Sequence, residues 1–206
     1  MPRRPYIGVM ASNTDQEISD EELVRRISEG NHGAFAQLVE RHSKLFFSAA
    51  YRMLNNVEEA EDTVQDAYVK LWQQPDRFDP SKGVKFTTWF YRVVTNLAID
   101  QTRKRKPQVK SEVLDVMADK APLADEQLSE QDEQTALEEA IERLPERQKA
   151  ALNLCFYEGL SNKEAAEVLD VGVKALESLL MRAKKALKED LGGQGLLDNT
   201  AERKTG

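Results

Sequence analysis

The chain has 206 residues, with 36 Asp and Glu against 29 Lys and Arg, a net charge of −7 and one cysteine. A composition with 32% charged and 7% aromatic residues describes a soluble, helical protein of one or two domains with a modest core. One cysteine excludes an internal disulfide framework and a thiolate zinc site, and no stretch approaches the ~18 apolar residues of a membrane span. The apolar run near the start is too short for a signal sequence, so a cytoplasmic location is expected.

Residues 1–18 show no period and read as a flexible leader. Ser19-Asp20-Glu21-Glu22 has capping-box spacing and predicts a short helix through Leu23, Val24 and Ile27, ended at Gly30. From Asn31 to Asn55-Asn56, Phe35, Leu38, Val39, His42, Leu45, Phe46, Ala49 and Met53 recur at spacings of three and four, predicting a longer helix. A third helix is predicted from Val57 to Gln74, stopped by Pro75, with Ala60, Val64, Ala67, Tyr68 and Leu71 buried. Residues 76–84, with Phe78-Asp79-Pro80 and Gly83, read as a loop. A fourth helix is predicted from Phe86 to about Arg105, ending in Arg103-Lys104-Arg105-Lys106-Pro107.

Residues 107–131 are acidic and sparsely apolar and read as a flexible linker. Periodicity resumes near Asp132 and stops before Pro145, and a helix from Glu146 to Tyr157 ends at Gly159. Ser161-Asn162-Lys163-Glu164 is a second capping box, opening a helix to Leu169. The turn Asp170-Val171-Gly172 then leads to a helix from Lys174 to about Asp190, with Leu176, Leu179, Leu180, Ala183 and Leu187 on one side. A capped short helix, a tight turn and an amphipathic helix make the helix-turn-helix pattern, in which Gly172 is expected to supply positive φ. The fold expected is all-α: two small helical domains, 19–106 and 132–191, on a flexible acidic linker, with a polar tail over 192–206.

Net charge averages over a segmented chain. Between Arg92 and Lys110 six bases face Asp100 alone (+5), 111–146 carries −10, and Glu177 to Lys188 is again basic (+3). The segment Val84-Lys85-Phe86-Thr87-Thr88-Trp89-Phe90-Tyr91-Arg92 interleaves aromatic and basic residues, which suits single-stranded nucleic acid; Trp89, Phe90 and Val93 at helical spacing read first as core. Lys85, Arg92, Asn96, Gln101 and Arg103 remain for a surface role, with amides for base edges and cations for phosphates. Asp62, Gln65, Asp66, Val69 and Gln73 lie away from the Tyr68/Leu71 stripe, with Trp72 at its border. That acidic, aromatic face reads equally as a docking surface or a solvated helix side. In the last helix Lys174, Glu177, Ser178, Met181, Arg182 and Lys185 lie opposite the leucines and can enter a major groove. An ordinary helical hairpin is the alternative. Cys155 reads as a buried structural thiol. No phosphate-binding glycine loop, metal-ligand cluster or nucleophile and base pattern suggests an enzyme, and His32 and His42 lie in a helical stripe.

These blocks are specific enough to carry a resemblance. Residues 59–72 (Glu-Ala-Glu-Asp-Thr-Val-Gln-Asp-Ala-Tyr-Val-Lys-Leu-Trp), Phe78-Asp79-Pro80 and the run from Thr88-Trp89-Phe90-Tyr91-Arg92 to Asp100 resemble region 2 of the extracytoplasmic-function sigma factors of the sigma-70 family. Leu144-Pro145-Glu146-Arg147-Gln148, Gly159-Leu160-Ser161 and the helix-turn-helix resemble region 4. The resemblance implies an alternative sigma factor that binds core RNA polymerase and directs initiation at promoter DNA, with no cofactor and with an anti-sigma factor as a further partner. It implies that Asp62, Gln65, Asp66, Val69 and Trp72 dock on the clamp helices of the largest polymerase subunit. Lys85, Phe86, Arg92, Asn96, Gln101, Arg103, Lys104 and Arg105 would bind and melt the −10 element. Lys174, Glu177, Ser178, Met181, Arg182 and Lys185 would read the −35 element.

The 25 residues 107–131 reach at most ~80 Å at ~3.3 Å each, enough for DNA elements two turns apart at ~34 Å per turn. Their acids, among them Asp115, Asp119, Asp125 and Glu126, are expected to occupy a basic channel of the polymerase. Where many relatives have Val-Lys/Arg-Ser-Arg in the recognition helix, this chain has Leu176-Glu177-Ser178-Leu179; glutamate accepts from cytosine N4, so a different −35 sequence is expected. The rival readings are a helix-turn-helix regulator binding an operator as a dimer without polymerase, and a protein-only adaptor. The first leaves the aromatic and basic helix and the Asp62 helix without a role.

Overall fold

The computed structural model describes residues 18–112 and 130–191, with side chains over 18–105 and 135–191; the leader, most of the linker with Asp115, Asp119, Asp125 and Glu126, and the tail lie outside them. Every element among the described residues is helical, and two small helical domains follow one another along the chain.

Helix α1 (Asp20–Ser28) starts where Ser19 Oγ accepts from the Glu22 amide at 3.2 Å. Only this half of the expected capping box is in place, because the Glu22 carboxylate turns to Arg25 and Arg26, at 2.7 and 2.8 Å. Helix α2 (His32–Leu54) is capped by Asn31 and ends at Asn55, whose φ of 49° suits a short amide side chain. Asn56 caps α3 (Val57–Gln73). Two single 3₁₀ turns, Pro75–Arg77 and Pro80–Lys82, occupy the predicted loop and tuck Phe78 between them, 5% exposed. Helix α4 (Phe86–Glu112) runs beyond the basic cluster at which the sequence predicts its end. Its backbone continues through Pro107, a residue that costs a hydrogen bond in a helix but does not always stop one.

Helices α1–α4 close on an aromatic core. The Phe90 ring lies 4.6 Å from Phe46, 4.8 Å from Tyr68 and 5.3 Å from Phe86, all but Tyr68 essentially sealed from solvent. Burying each of these rings contributes about 1.5–3 kcal/mol.

The second domain comprises α5 (Glu130–Glu142), α6 (Glu146–Leu152), α7 (Asn162–Val168) and α8 (Val173–Asp190). The predicted helix Glu146 to Tyr157 is α6 followed by a π-wound turn, Asn153–Tyr157, which reorients Phe156 and Tyr157 outward. Ser161 and Glu164 form both halves of the second capping box. The turn between α7 and α8 is built differently from expectation. Gly172 has φ −71° and caps α8 in an extended conformation, whereas Asp170 takes the left-handed conformation at 53°. A short polar side chain tolerates that region, so the turn needs no glycine for it. Leu176 is fully buried, and Ala183 and Leu187 on the inner side of α8 pack with Ala140, Leu144 and Leu152.

The two domains pack on each other. One continuous apolar cluster runs from Leu38, Ala49 and Phe90 into Ala150, Leu154, Ala165 and Leu176, with α7 laid against α4. Small side chains at Ala49, Ala50, Ala150, Ala151, Ala165 and Ala166 let these helices approach closely.

Candidate polymerase and nucleic-acid interfaces

The helical repeat of α3 buries Ala60, Val64, Ala67, Tyr68 and Leu71 and turns Asp62, Gln65, Asp66 and Val69 to solvent on one face. Val69 is 50% exposed. Trp72 closes the lower end of this face. It is half-buried, edge-on to Phe35 at 5.2 Å and stacked on His32 at 4.5 Å. His32 is thus an exposed residue fixing a tryptophan, while His42 Nε2 lies 2.8 Å from Asp20 Oδ2 in the α1/α2 seam.

Lys85, just before α4, and Arg92, Asn96, Arg103 and Lys104 on it are exposed, and Gln101 is half-exposed. Arg92, Asn96 and Arg103 share a concavity with Asp100, Arg147 and Asp170. Arg105 is directed elsewhere, donating to the Leu54 carbonyl at 3.2 Å and pairing with Glu59 at 2.9 Å, where it ties α4 to the α2/α3 corner. Phe86 corrects the expectation of a base contact. It is 1% exposed, between Phe78, Trp89, Phe90 and His42, because the first turn of α4 must cover the end of the aromatic core. Trp89 is half-buried and forms, with Phe78, Arg92, Val168 and Asp170, the wall of a cleft of about 400 Å³ between the domains. Beside it, Asp79 accepts from the Ser81 hydroxyl and amide, bonds that hold its carboxyl below the usual range and brace the loop.

On α8, Lys174, Glu177, Met181, Arg182 and Lys185 are exposed, Met181 at 65%. Ser178 is partly covered, its hydroxyl donating to the Lys174 carbonyl at 2.9 Å. The neighbouring Lys184 is held over the Phe156 ring, 5.1 Å from its centroid, so the outward π turn orients one cation of this helix. Ser161 hydrogen bonds, with Lys85 nearby, keep the Glu164 carboxyl ionised below the usual carboxylate range. Cys155 is half-buried, and burial pushes its thiol up, away from nucleophilic use.

Motif spacing did not reveal the groups that join the domains. Glu158 accepts from Arg52 and from the Tyr91 hydroxyl, both at 2.7 Å, and its side chain is 3% exposed. Burial first, and Glu158 second, raise the Tyr91 pKa above its ordinary 10, so it is a neutral donor. Lys149 donates to the Met53 carbonyl at 3.0 Å and Asn153 to the Ala49 carbonyl at 3.1 Å. These pairs lie 67 to 106 positions apart, and local pattern carries no trace of them.

Two family models match, in this order along the chain: sigma-70 region 2 over 38–108 and sigma-70 region 4 over 134–187. The ECF RNA polymerase sigma factor SigW of Bacillus subtilis is 30% identical over 186 residues, covering 85% of this chain and 98% of that protein. SigM of Mycobacterium tuberculosis is 30% identical over 187 residues, 91% of this chain and 92% of its own length. Among solved structures, CnrH in complex with the cytosolic domain of CnrY superposes with a TM-score of 0.59 at 26% identity, over 85% of this chain and 99% of that one. The sigma factor RpoE of Bartonella quintana, in complex with the anti-sigma factor NepR, gives 0.57 at 25% identity over 78% and 98%. With both conserved regions matched in order and nearly the full length of its relatives spanned, the chain belongs to the extracytoplasmic-function sigma factors of the sigma-70 family.

Proposed function

We infer that the chain binds core RNA polymerase through the exposed face of α3 and delivers it to promoters by reading −10 DNA with α4 and −35 DNA with α8. What carries this reading is the division of surfaces. An acidic face bearing Asp62, Asp66, exposed Val69 and the braced Trp72 suits a protein partner, while the basic surface of α4 and the polar face of α8 suit DNA. Arg92, Asn96, Gln101, Arg103 and Lys104 hold phosphates and exposed base edges of the non-template strand. Phe86 acts behind them, seating Trp89 and the Phe78 loop rather than stacking on a base.

At −35, Lys174, Arg182 and Lys185 position the helix on phosphates, and Glu177 accepts from a cytosine amine. Acidic total charge is compatible with this role, because polymerase supplies most of the complex's hold on DNA and the free chain binds it weakly. The site of action is the cytoplasm, and among the described residues no helix is long and apolar enough to cross a membrane. An anti-sigma protein is a further partner in this reading, supported by the complex of the structural neighbour RpoE with the anti-sigma factor NepR.

The test is co-elution with purified core polymerase followed by transcription from a promoter library. The chain is expected to join core and select a set of promoters with shared −10 and −35 elements. Asp66→Arg is expected to abolish co-elution while leaving helix content unchanged. Operator binding as a dimer, with no effect on core, would support the regulator reading instead.

A further inference from the structure

The polar side of α8 has two margins. The helix buries Leu176, Ala183 and Leu187 and half-buries Leu179 and Leu180, so the exposed arc runs from Lys184, past Met181 and Lys185 in the middle, to Arg182. At 3.6 residues per turn, Arg182 and Lys184 project roughly 160° apart across this arc. Both cations are placed in advance, by different means. Arg182 Nε donates to the Ser178 carbonyl at 3.2 Å. Lys184 Nζ stands over the Phe156 ring, 5.1 Å from its centroid, and pairs with no carboxylate among the described residues, whereas Lys185 reaches Glu189 at 3.6 Å. Phe156 lies outside both apolar clusters and is 44% exposed. The π-wound turn keeps Asn153 and Leu154 buried while carrying this ring to the surface, and such turns recur at functional sites.

We propose that Lys184 is a phosphate anchor of −35 recognition, positioned by Phe156, and that it grips the DNA strand on the opposite wall of the major groove from the one held by Arg182. This rests on the reading of α8 as the −35 helix. A helix with its side chains is about 10–12 Å across and the groove about 12 Å wide, so a helix seated there sets its two margins against two different backbones. Glu177 lies on the Lys184 margin, two turns nearer the start of α8, where its carboxylate repels the backbone. A cation ~10 Å further along the same margin offsets that repulsion. A free lysine loses rotamer freedom when it meets a phosphate. One already held over a ring has given up part of that freedom before binding, which is the advantage the Phe156 brace confers.

The test uses the full chain assembled with core polymerase and a labelled promoter duplex that this complex transcribes. The duplex is made as a series in which single phosphates of the −35 region, on either strand, are replaced by neutral methylphosphonates. In the wild-type complex, each linkage held by a cation is expected to weaken binding when neutralised. Lys184→Ala is expected to abolish that sensitivity on one strand and Arg182→Ala on the other, each lowering the salt slope by about 1. Phe156→Leu, which keeps apolar bulk without the ring, is expected to weaken binding about two- to fivefold, the range of a surface cation–π contact, and Phe156→Tyr to restore it. In a Lys184→Ala background, Phe156→Leu is expected to change nothing. Retention of every sensitive linkage by Lys184→Ala overturns the anchor. Loss on the same strand for both variants overturns the division between walls. An equal loss from Phe156→Leu with and without Lys184 overturns the brace. If no linkage across the −35 element is sensitive in the wild-type complex, the reading of α8 as the −35 helix falls and the anchor falls with it.

Discussion

Replacing Phe86 by alanine separates a packing role from a base-stacking role. The ring is 1% exposed and lies 5.3 Å from Phe90, 5.6 Å from Phe78, 5.7 Å from His42 and 6.0 Å from Trp89. Truncating a ring so enclosed costs about 3–5 kcal/mol, combining lost transfer energy with a cavity that stiff aromatic neighbours cannot fill. Small domains have ~5–15 kcal/mol in total, so the variant stays folded at 25 °C but melts at least ~12 °C lower, at ~4 °C per kcal/mol for a domain of this size. Thermal unfolding followed at 222 nm, with chemical denaturation as a cross-check, measures the loss. Phe86→Leu, which restores most of the volume, is expected to recover most of the stability and with it −10 binding. A loss below ~1 kcal/mol, against the core-truncation range, accompanied by abolished −10 binding would show that the ring leaves the core to stack on DNA.

Three other expectations follow from the surfaces. Glu177→Ala is expected to change base preference at one −35 position, whereas Lys185→Ala weakens all promoters alike with a shallower salt dependence; equal losses across a promoter library for both would remove Glu177 as a base reader. Trp72→Ala is expected to lower affinity for core at least tenfold and to free the His32 ring, read as a shift of its NMR resonances; unchanged affinity would exclude the α3 end from docking. The Glu164 carboxyl is depressed by Ser161 below its usual 4.5. Its contribution is therefore complete above that value and lost as pH falls through the depressed one. Amide exchange at the start of α7 is expected to accelerate below pH 4.5, and to do so less in Glu164→Gln, whose amide caps without titrating; identical profiles would discount the cap.

Periodicity in this chain locates helices well because each buries a single stripe. The Leu23/Val24/Ile27 and Ala60/Val64/Ala67/Leu71 sets are all core, and the proposed docking face of α3 is what those stripes leave outside. Three features escape it for separate physical reasons. The left-handed residue of the helix-turn-helix is Asp170 because a short polar side chain tolerates that conformation, so the glycine two residues on misleads. Phe86 belongs to an aromatic cluster assembled from three separate segments, and its place in the basic run says nothing of that packing. The contact between the domains depends on Lys149 and Asn153 meeting backbone carbonyls, and on Glu158 meeting the Arg52 and Tyr91 side chains, all far away in sequence where no local pattern encodes them. Of the candidate DNA residues, the exposed positions of α8 were legible from its leucine stripe, whereas the inward anchoring of Arg105 required the α2/α3 corner to be known.

This chain gives core RNA polymerase its promoter choice. Run-off transcription with purified core polymerase and a promoter from the chain's own selected set measures it directly. Discrete transcripts are expected only when chain and core are both present, and are expected to disappear when either the −10 or the −35 element is scrambled. Binding of the same DNA by the chain alone, with no transcript on adding core, would exclude that role.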